Sequence, residues 1–144
     1  RPRDWSSDVC SSDLDYQQLA VISRMTRDLD IPVQIIGVDT VREPDGLALS
    51  SRNVRLSSDE RAQAPVIHRA LSLAREALLS GAGADTARAV FTSEIAAAPS
   101  ARVEYVSVAH PESLSELTGQ VDAAVVSCAV WFGDVRLIDN VLVP

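Results

Sequence analysis

The sequence predicts an α/β chain: the last helix–strand unit of a doubly wound domain, followed by a small α+β domain with an antiparallel sheet. A helical pattern leads into an apolar, β-branched run, which is typical of a strand buried on both faces of a parallel sheet. Beyond about residue 57, helical segments precede half-buried strands and a hairpin signal. The 144 residues are 47% hydrophobic and 23% charged, which suits a folded core.

The first fourteen residues show neither a helical nor a strand period. The string DWSSDVCSSDL, residues 4–14, resembles the translation of a sequencing-adapter oligonucleotide. We therefore expect residues 1–14 to be an artefactual or disordered segment and exclude them from the fold. The alternative is a genuine Ser/Asp-rich loop. If the segment is foreign, the natural chain extended further toward its N-terminus.

Residues 15–55 are predicted to be the C-terminal remnant of the doubly wound domain. Its helix ends before Pro32, because a residue that precedes proline avoids the α region. VQIIGV, residues 33–38, is predicted to be the buried strand. Residues 39–53 form a loop at the carboxyl end of that strand, where open α/β sheets bind ligands. The apolar residues of the helix recur at helical spacing: Leu19, Ile22, Met25 and Leu29.

Residues 56–144 are predicted to form the small α+β domain. Ser57 and Glu60 make a capping box at the start of a helical region that Pro65 should kink. Gly81 suits the C-terminal end of that region. Further elements are expected in this order: a helix capped by Asp85, a strand over 103–109, a short helix over 111–117, and strands over 123–132 and 135–143 joined at Gly133 and Asp134. Arg136 and Asp139 are expected to pair on that hairpin.

Charge and cysteine content exclude several function classes. A net charge of −7 without basic clusters argues against nucleic-acid or anionic-membrane partners. The longest apolar stretch, 123–132, is too short for a membrane span, and the polar first residues show no signal peptide. Cys10 and Cys128 form neither a disulfide framework nor a metal cluster, and Cys128 is expected to be a packed core thiol. His68 has no second metal-ligating residue one helical turn later, so we expect no metal site. We also expect a cytoplasmic location.

The segment DGLALSSRN, residues 45–53, carries residue types that bind phosphate. The hydroxyls of Ser50 and Ser51 donate hydrogen bonds, and the guanidinium of Arg52 supplies charge. The alternative is a Ser-rich helix cap with an exposed arginine, and spacing alone favours it.

Three strings nevertheless resemble pantothenate synthetases, in that family's order: DYQQLAVISRM at 15–25, GVDTVREPDGLALSSRN at 37–53 and RLIDNVLV at 136–143. The resemblance implies a Rossmann-like fold of nucleotidylyl transferase type. It also implies an ATP-dependent ligase that uses Mg²⁺ and is usually a homodimer. Pantoate attacks the α-phosphate of ATP, giving pantoyl adenylate and pyrophosphate. The amine of β-alanine then attacks the adenylate, giving pantothenate and AMP.

The resemblance implies roles for individual residues. Ser50 and Arg52 would be catalytic, because they would bind the phosphates and hold charge as pyrophosphate leaves. Leu49 would pack near the adenine, and the backbone of Val41 would meet the adenine edge. Gln18 would bind pantoate. The full ATP-binding set would be Asp15 (at the ribose), Val41, Leu49, Ser50, Ser51 and Arg52.

The sequence also departs from the family pattern. Leu14 stands where the family has a phosphate-binding lysine, and the family's His-x-Gly-His element is absent. We therefore predict that this chain is part of the ligase, inactive by itself and marginally soluble. Any movement of the small domain is expected to pivot near residues 53–57. Two alternatives stay open: another nucleotidylyl transferase with a similar phosphate loop, or a non-catalytic interaction module formed by residues 57–144.

Overall fold

A computed structural model describes residues 16–144. The segment 1–14, expected to be foreign, and Asp15 lie outside the described residues. No helix in the described part of the chain is long and apolar enough to cross a membrane. The elements in chain order are α1 (Tyr16–Asp28), a 3₁₀ helix (Ser51–Arg55), α2 (Ser58–Gln63), α3 (Val66–Leu79), α4 (Ala84–Ile95), β1 (Ala101–Ala109), β2 (Ala124–Phe132) and β3 (Val135–Val143).

The three strands form an antiparallel sheet in the order β1-β2-β3, which confirms the predicted small α+β domain. Side chains alternate between the two faces of a strand, so every second residue points toward the same layer. On one face, such residues pack with α3 and α4 into the core. Cys128 lies in this layer as predicted, and burial raises the pKa of its thiol. The buried members from the central strand are Ala124, Val126, Cys128, Val130 and Phe132.

Local signals set the helix boundaries as predicted. The hydroxyl oxygen of Ser57 accepts the Glu60 N–H (3.3 Å), and the Glu60 carboxylate accepts the Ser57 N–H (2.8 Å), which completes the capping box. Pro65 separates α2 from α3. Gly81 follows α3 with φ +90, and its N–H donates to the carbonyl of Leu78 (2.9 Å). A left-handed residue at this position satisfies carbonyls that the helix end leaves open.

The strand expected over residues 33–38 is not formed. These residues are mostly exposed, and none of them pairs with a strand in the described part of the chain. A strand needs a neighbour to bond its N–H and C=O groups, whatever its own side chains favour. The apolar run therefore indicates a surface that could be buried, while the partner that would bury it is not among the described residues.

Two smaller expectations are also wrong. Asp85 does not cap α4; the cap residue is Gly83, and the carbonyl of Gly119 accepts the first helical N–H (2.7 Å). A carbonyl from a distant loop thus replaces the local side-chain cap. In place of the helix expected over 111–117, residues 111–113 form a turn and Glu116 makes an isolated bridge with Ala109. The Nδ1 atom of His110 accepts two backbone N–H groups of the next turn (3.2 and 3.3 Å), which favours the turn over a helical start.

Candidate functional site

Residues 41–55, here called the signature loop, contain most of the predicted site residues. The loop begins as a short hairpin in which Arg42 and Ala48 form a β-bridge. The N–H of Leu49 donates to the carbonyl of Val41 (2.9 Å). The hairpin then passes directly into the 3₁₀ helix. The loop is therefore a hydrogen-bonded structure of its own.

An ion pair with a buried carboxylate and a partly buried guanidinium fastens the hairpin to β3. The Arg42 guanidinium donates to both carboxylate oxygens of Asp139 (2.6 and 2.9 Å) and to the carbonyl of Gly46 (3.2 Å). The Asp139 side chain is only 3% exposed, and that of Arg42 is 19% exposed. The expected pairing of Asp139 with Arg136 is wrong, because residues three apart on a strand point to opposite faces. Arg136 instead pairs with Glu104 (2.9 Å).

A second set of contacts fastens the hairpin to α2. The Arg61 guanidinium reaches Glu43 and Asp45, each at 2.6 Å, and we call these three side chains the Arg61 fork. The hydrogen bonds from Arg61 lower the pKa of both carboxyl groups. The amide nitrogen of Asn53 donates to Glu43 and to the Ala48 carbonyl (3.0 Å each). Asn53 thus ties the 3₁₀ helix to the hairpin.

The tip of the hairpin packs onto α3. Leu47 is buried in the core. Gly46 has φ +93 and approaches His68 so closely that a Cβ atom built on it would lie 2.7 Å from His68 Nδ1. Burial lowers the pKa of His68, and the charge of Arg42 lowers it further. The His68 imidazole therefore lies directly against the glycine.

The outward side of the signature loop presents the residues predicted to bind ATP. Val41 and Leu49 are paired across the hairpin and are 62% and 56% exposed. Ser50, Ser51 and Arg52 follow and are exposed as well. The Ser50 hydroxyl accepts the Arg52 N–H (3.2 Å), and in the described part of the chain the Arg52 guanidinium has no ion-pair partner. An apolar pair thus lies beside hydroxyls and an available cation, which suits a ligand with a flat apolar part and an anionic part.

Gln18, the predicted pantoate-binding residue, belongs to α1 and not to the signature loop. Gln18 lies exposed on α1. The hydroxyl of Tyr16 ties the start of that helix to the carbonyl of Pro111 (3.1 Å). Asp15 lies outside the described residues. The structure therefore gives no basis of its own for the ribose and pantoate roles.

Sequence reasoning missed the residues that hold the signature loop in place. The one signal was Asp139, which occupies a core-facing position of the predicted β3. A carboxylate at such a position needs a buried cation. Nothing local identifies Arg42 as that cation, because the two residues are 97 positions apart.

The types of side chain in the described residues can be compared with the ligands that the expected Mg²⁺ would need. Among residues 16–144, no three His, Cys, Asp or Glu side chains gather to hold a metal ion. Hydroxyls and a guanidinium on the outer side of the loop suit an anion better than a cation. The Mg²⁺ therefore stays a prediction from the resemblance.

Comparison with known proteins identifies the family. A family model described as pantoate–β-alanine ligase matches residues 9–142. Pantothenate synthetase from Chloroflexus aurantiacus is 56% identical over 128 residues, which are 88% of this chain and 46% of that protein. The enzyme from Thermus thermophilus is 50% identical over 128 residues, with the same coverage. The chain therefore spans slightly less than half the length of these relatives.

Solved structures agree in fold. The crystal structure of pantothenate synthetase from Thermus thermophilus superposes with a TM-score of 0.82 and 47% identity, over 88% of this chain and 46% of that one. A pantoate–β-alanine ligase from Francisella tularensis, solved as a complex with beta-gamma ATP and β-alanine, gives a TM-score of 0.56 and 29% identity over 89% of this chain and 40% of that one. The chain thus belongs to the pantoate–β-alanine ligase family.

Proposed function

We propose that this chain is the C-terminal part of an ATP-dependent ligase that condenses pantoate with β-alanine. The observation that carries the proposal is the outward side of the signature loop, where Val41 and Leu49 lie next to Ser50, Ser51 and Arg52. Adenine is flat and largely apolar, and a triphosphate is strongly anionic, so ATP matches both halves of this surface. The Francisella relative, solved as a complex with beta-gamma ATP and β-alanine, supports the same ligand class.

In this proposal, Leu49 packs on the adenine and the backbone of Val41 meets its edge. Ser50 and Arg52 bind the phosphates and are the catalytic residues, with Ser51 as a further phosphate donor. Asp15 binds the ribose and Gln18 binds pantoate. These last two roles rest on resemblance alone, since Asp15 is undescribed and Gln18 belongs to a separate element.

The chemistry requires positioning and charge stabilisation, and it needs no protein nucleophile. An oxygen of the pantoate carboxylate forms a bond to the α-phosphorus while the bond to the bridging oxygen of pyrophosphate breaks. Arg52 holds the negative charge that develops on the departing pyrophosphate. The β-alanine nitrogen then bonds to the acyl carbon, AMP departs with its oxygen, and the ammonium proton passes to solvent. Oriented donors lower the barrier, because they need not reorganise as charge moves.

The proposal also covers the oligomeric state, the location and the small-molecule partners of the whole protein. It includes a homodimer in the cytoplasm and pantoate, β-alanine and ATP as small-molecule partners. It also includes inactivity of the 144-residue chain, since Leu14 replaces the family lysine and the His-x-Gly-His element is missing from the sequence. Pantothenate formation by the purified chain would contradict that last point.

The decisive experiment is an ATP titration of the 144-residue chain, followed through its backbone amide NMR signals. We expect the signals of Leu49 to Arg52 to move, and Arg52→Ala to weaken the apparent Kd about tenfold, as the loss of one charge-assisted contact predicts. Arg55→Ala is the matched control, because Arg55 is an exposed arginine of the same 3₁₀ helix. Equal effects of the two substitutions would point to general charge attraction. No ATP-dependent change in the unsubstituted chain would reject the proposed nucleotide site.

A further inference from the structure

The ion pair between Arg42 and Asp139 has a geometry that fixes orientation as well as distance. Two hydrogen bonds of 2.6 and 2.9 Å join the two terminal nitrogens of the guanidinium to the two oxygens of the carboxylate. A forked pair of this kind restricts both the separation and the angle of the groups it joins. Asp139 also accepts the N–H of Asn140 (2.8 Å), so its carboxylate is itself held on β3.

The pair lies directly beneath the exposed apolar residues of the signature loop. Arg42 is bonded in sequence to Val41 and bridged across the hairpin to Ala48, the neighbour of Leu49. Since alternate residues of an extended segment point to opposite sides, Arg42 points into the domain while Val41 points out. Val41 and Leu49 therefore belong to the same short hairpin that the Arg42 guanidinium anchors to β3.

Building on the proposed nucleotide-binding function, we propose that Arg42 and Asp139 are positioning residues that set the orientation of Val41 and Leu49 toward the adenine. A role in stability alone does not require an ion pair at this place. Apolar side chains of similar volume commonly replace a buried ion pair without loss of stability. They do not reproduce the angular restraint of the fork, and this difference separates the two roles.

The test is the double variant Arg42→Met/Asp139→Leu, made in the 144-residue chain. Three quantities are measured: the Tm, the hydrogen-exchange protection of the Leu49 amide, and the apparent Kd for ATP. We expect a Tm within about 4 °C of the unsubstituted chain. We also expect at least about tenfold faster exchange at Leu49 and about tenfold weaker ATP binding. The matched control replaces an exposed pair on α3 and α4, Arg69→Met/Glu94→Leu, and should change neither exchange at Leu49 nor ATP affinity.

A conservative variant strengthens the test. Arg42→Lys keeps the positive charge but loses the fork, so it should weaken ATP binding nearly as much as the double variant does. If the double variant keeps both the protection of Leu49 and the affinity for ATP, the positioning role is overturned while the proposed nucleotide site stands. If the unsubstituted chain shows no response to ATP, the proposed function fails, and the positioning role fails with it.

Discussion

Replacing Gly46 by alanine should destabilise the domain through two effects that can be separated. A residue with φ +93 lies in the region where a Cβ atom is strained. This strain costs about 1–2 kcal/mol of unfolding free energy. The new methyl group would also lie 2.7 Å from His68 Nδ1, so the imidazole must turn away from its position. A side chain displaced from its preferred rotamer costs a further 0.5–1.5 kcal/mol or so, giving a total of about 1.5–3.5 kcal/mol for Gly46→Ala.

Gly81 provides the matched control. Its φ is +90, almost the same as that of Gly46, yet a Cβ atom at Gly81 would meet nothing within 4 Å. Gly81→Ala should therefore show the backbone strain alone, about 1–2 kcal/mol. Both substitutions lower the entropy of the unfolded chain equally, so this effect cancels in the comparison. The excess loss at Gly46, about 0.5–1.5 kcal/mol, measures the contact with His68.

Urea unfolding followed by circular dichroism gives the free energies, provided that the slope of unfolding with urea stays the same in all variants. Adding His68→Ala to each glycine variant completes a double-mutant cycle. We expect His68→Ala to remove the excess cost of Gly46→Ala and to leave the cost of Gly81→Ala unchanged. Equal losses at the two glycines, or no coupling between Gly46 and His68, would refute the contact.

Charge, burial and exposed apolar surface give three more testable expectations. Arg61→Gln should lower the Tm near neutral pH, and this difference in Tm should shrink as the pH falls toward about 3. The carboxylates of the Arg61 fork have lowered pKa values, so they stabilise the fold only while they are ionised. Thermal melts across that pH range check this expectation, and a difference in Tm that is independent of pH would contradict it. In a Cys10→Ser background, Cys128 should react with a thiol reagent only as fast as the chain unfolds, because the thiol is buried and burial raises its pKa. The absorbance of the released reagent, followed with and without urea, gives the reaction rate. A fast reaction in the folded chain would argue against burial. Ile36 is 70% exposed, so Ile36→Asp should reduce self-association in sedimentation experiments, and Gln34→Asp, which adds the same charge at an already polar position, should reduce it less.

The parts of the fold that were predicted correctly depend on short-range signals. The capping box at Ser57, the break at Pro65 and the turn at Gly133 each follow from a few neighbouring residues. Gly133 has φ +54, as a tight hairpin turn requires, and its two strands pair in register from Phe132 and Val135 outward. Backbone conformation and local hydrogen bonds are enough to determine such features.

The parts that were missed depend on partners far away in the sequence. The apolar run 33–38 has the composition of a buried strand, but a ladder requires a second strand that no local pattern can supply. The expected pairing of Asp139 is wrong, because Arg136 lies three residues away and points to the opposite face of β3, so that the partner of Asp139 is the distant Arg42. The roles of the outward residues of the signature loop stay predictions from the family resemblance, whereas the contacts that anchor the loop are visible only in three dimensions.

The contacts that anchor the signature loop determine which part of the chain it would move with. Arg42 and the Arg61 fork join the loop to β3 and α2, whereas residues 34–40 take part in no backbone–backbone hydrogen bond within the described chain. A bend at residues 34–40 would therefore break fewer of these contacts than one at residues 53–57, and the pivot near residues 53–57 stays a prediction. These contacts would make the signature loop move together with the small domain. A rotation of that domain would carry Arg52 and any phosphate it holds through the same arc, with no change in their separation.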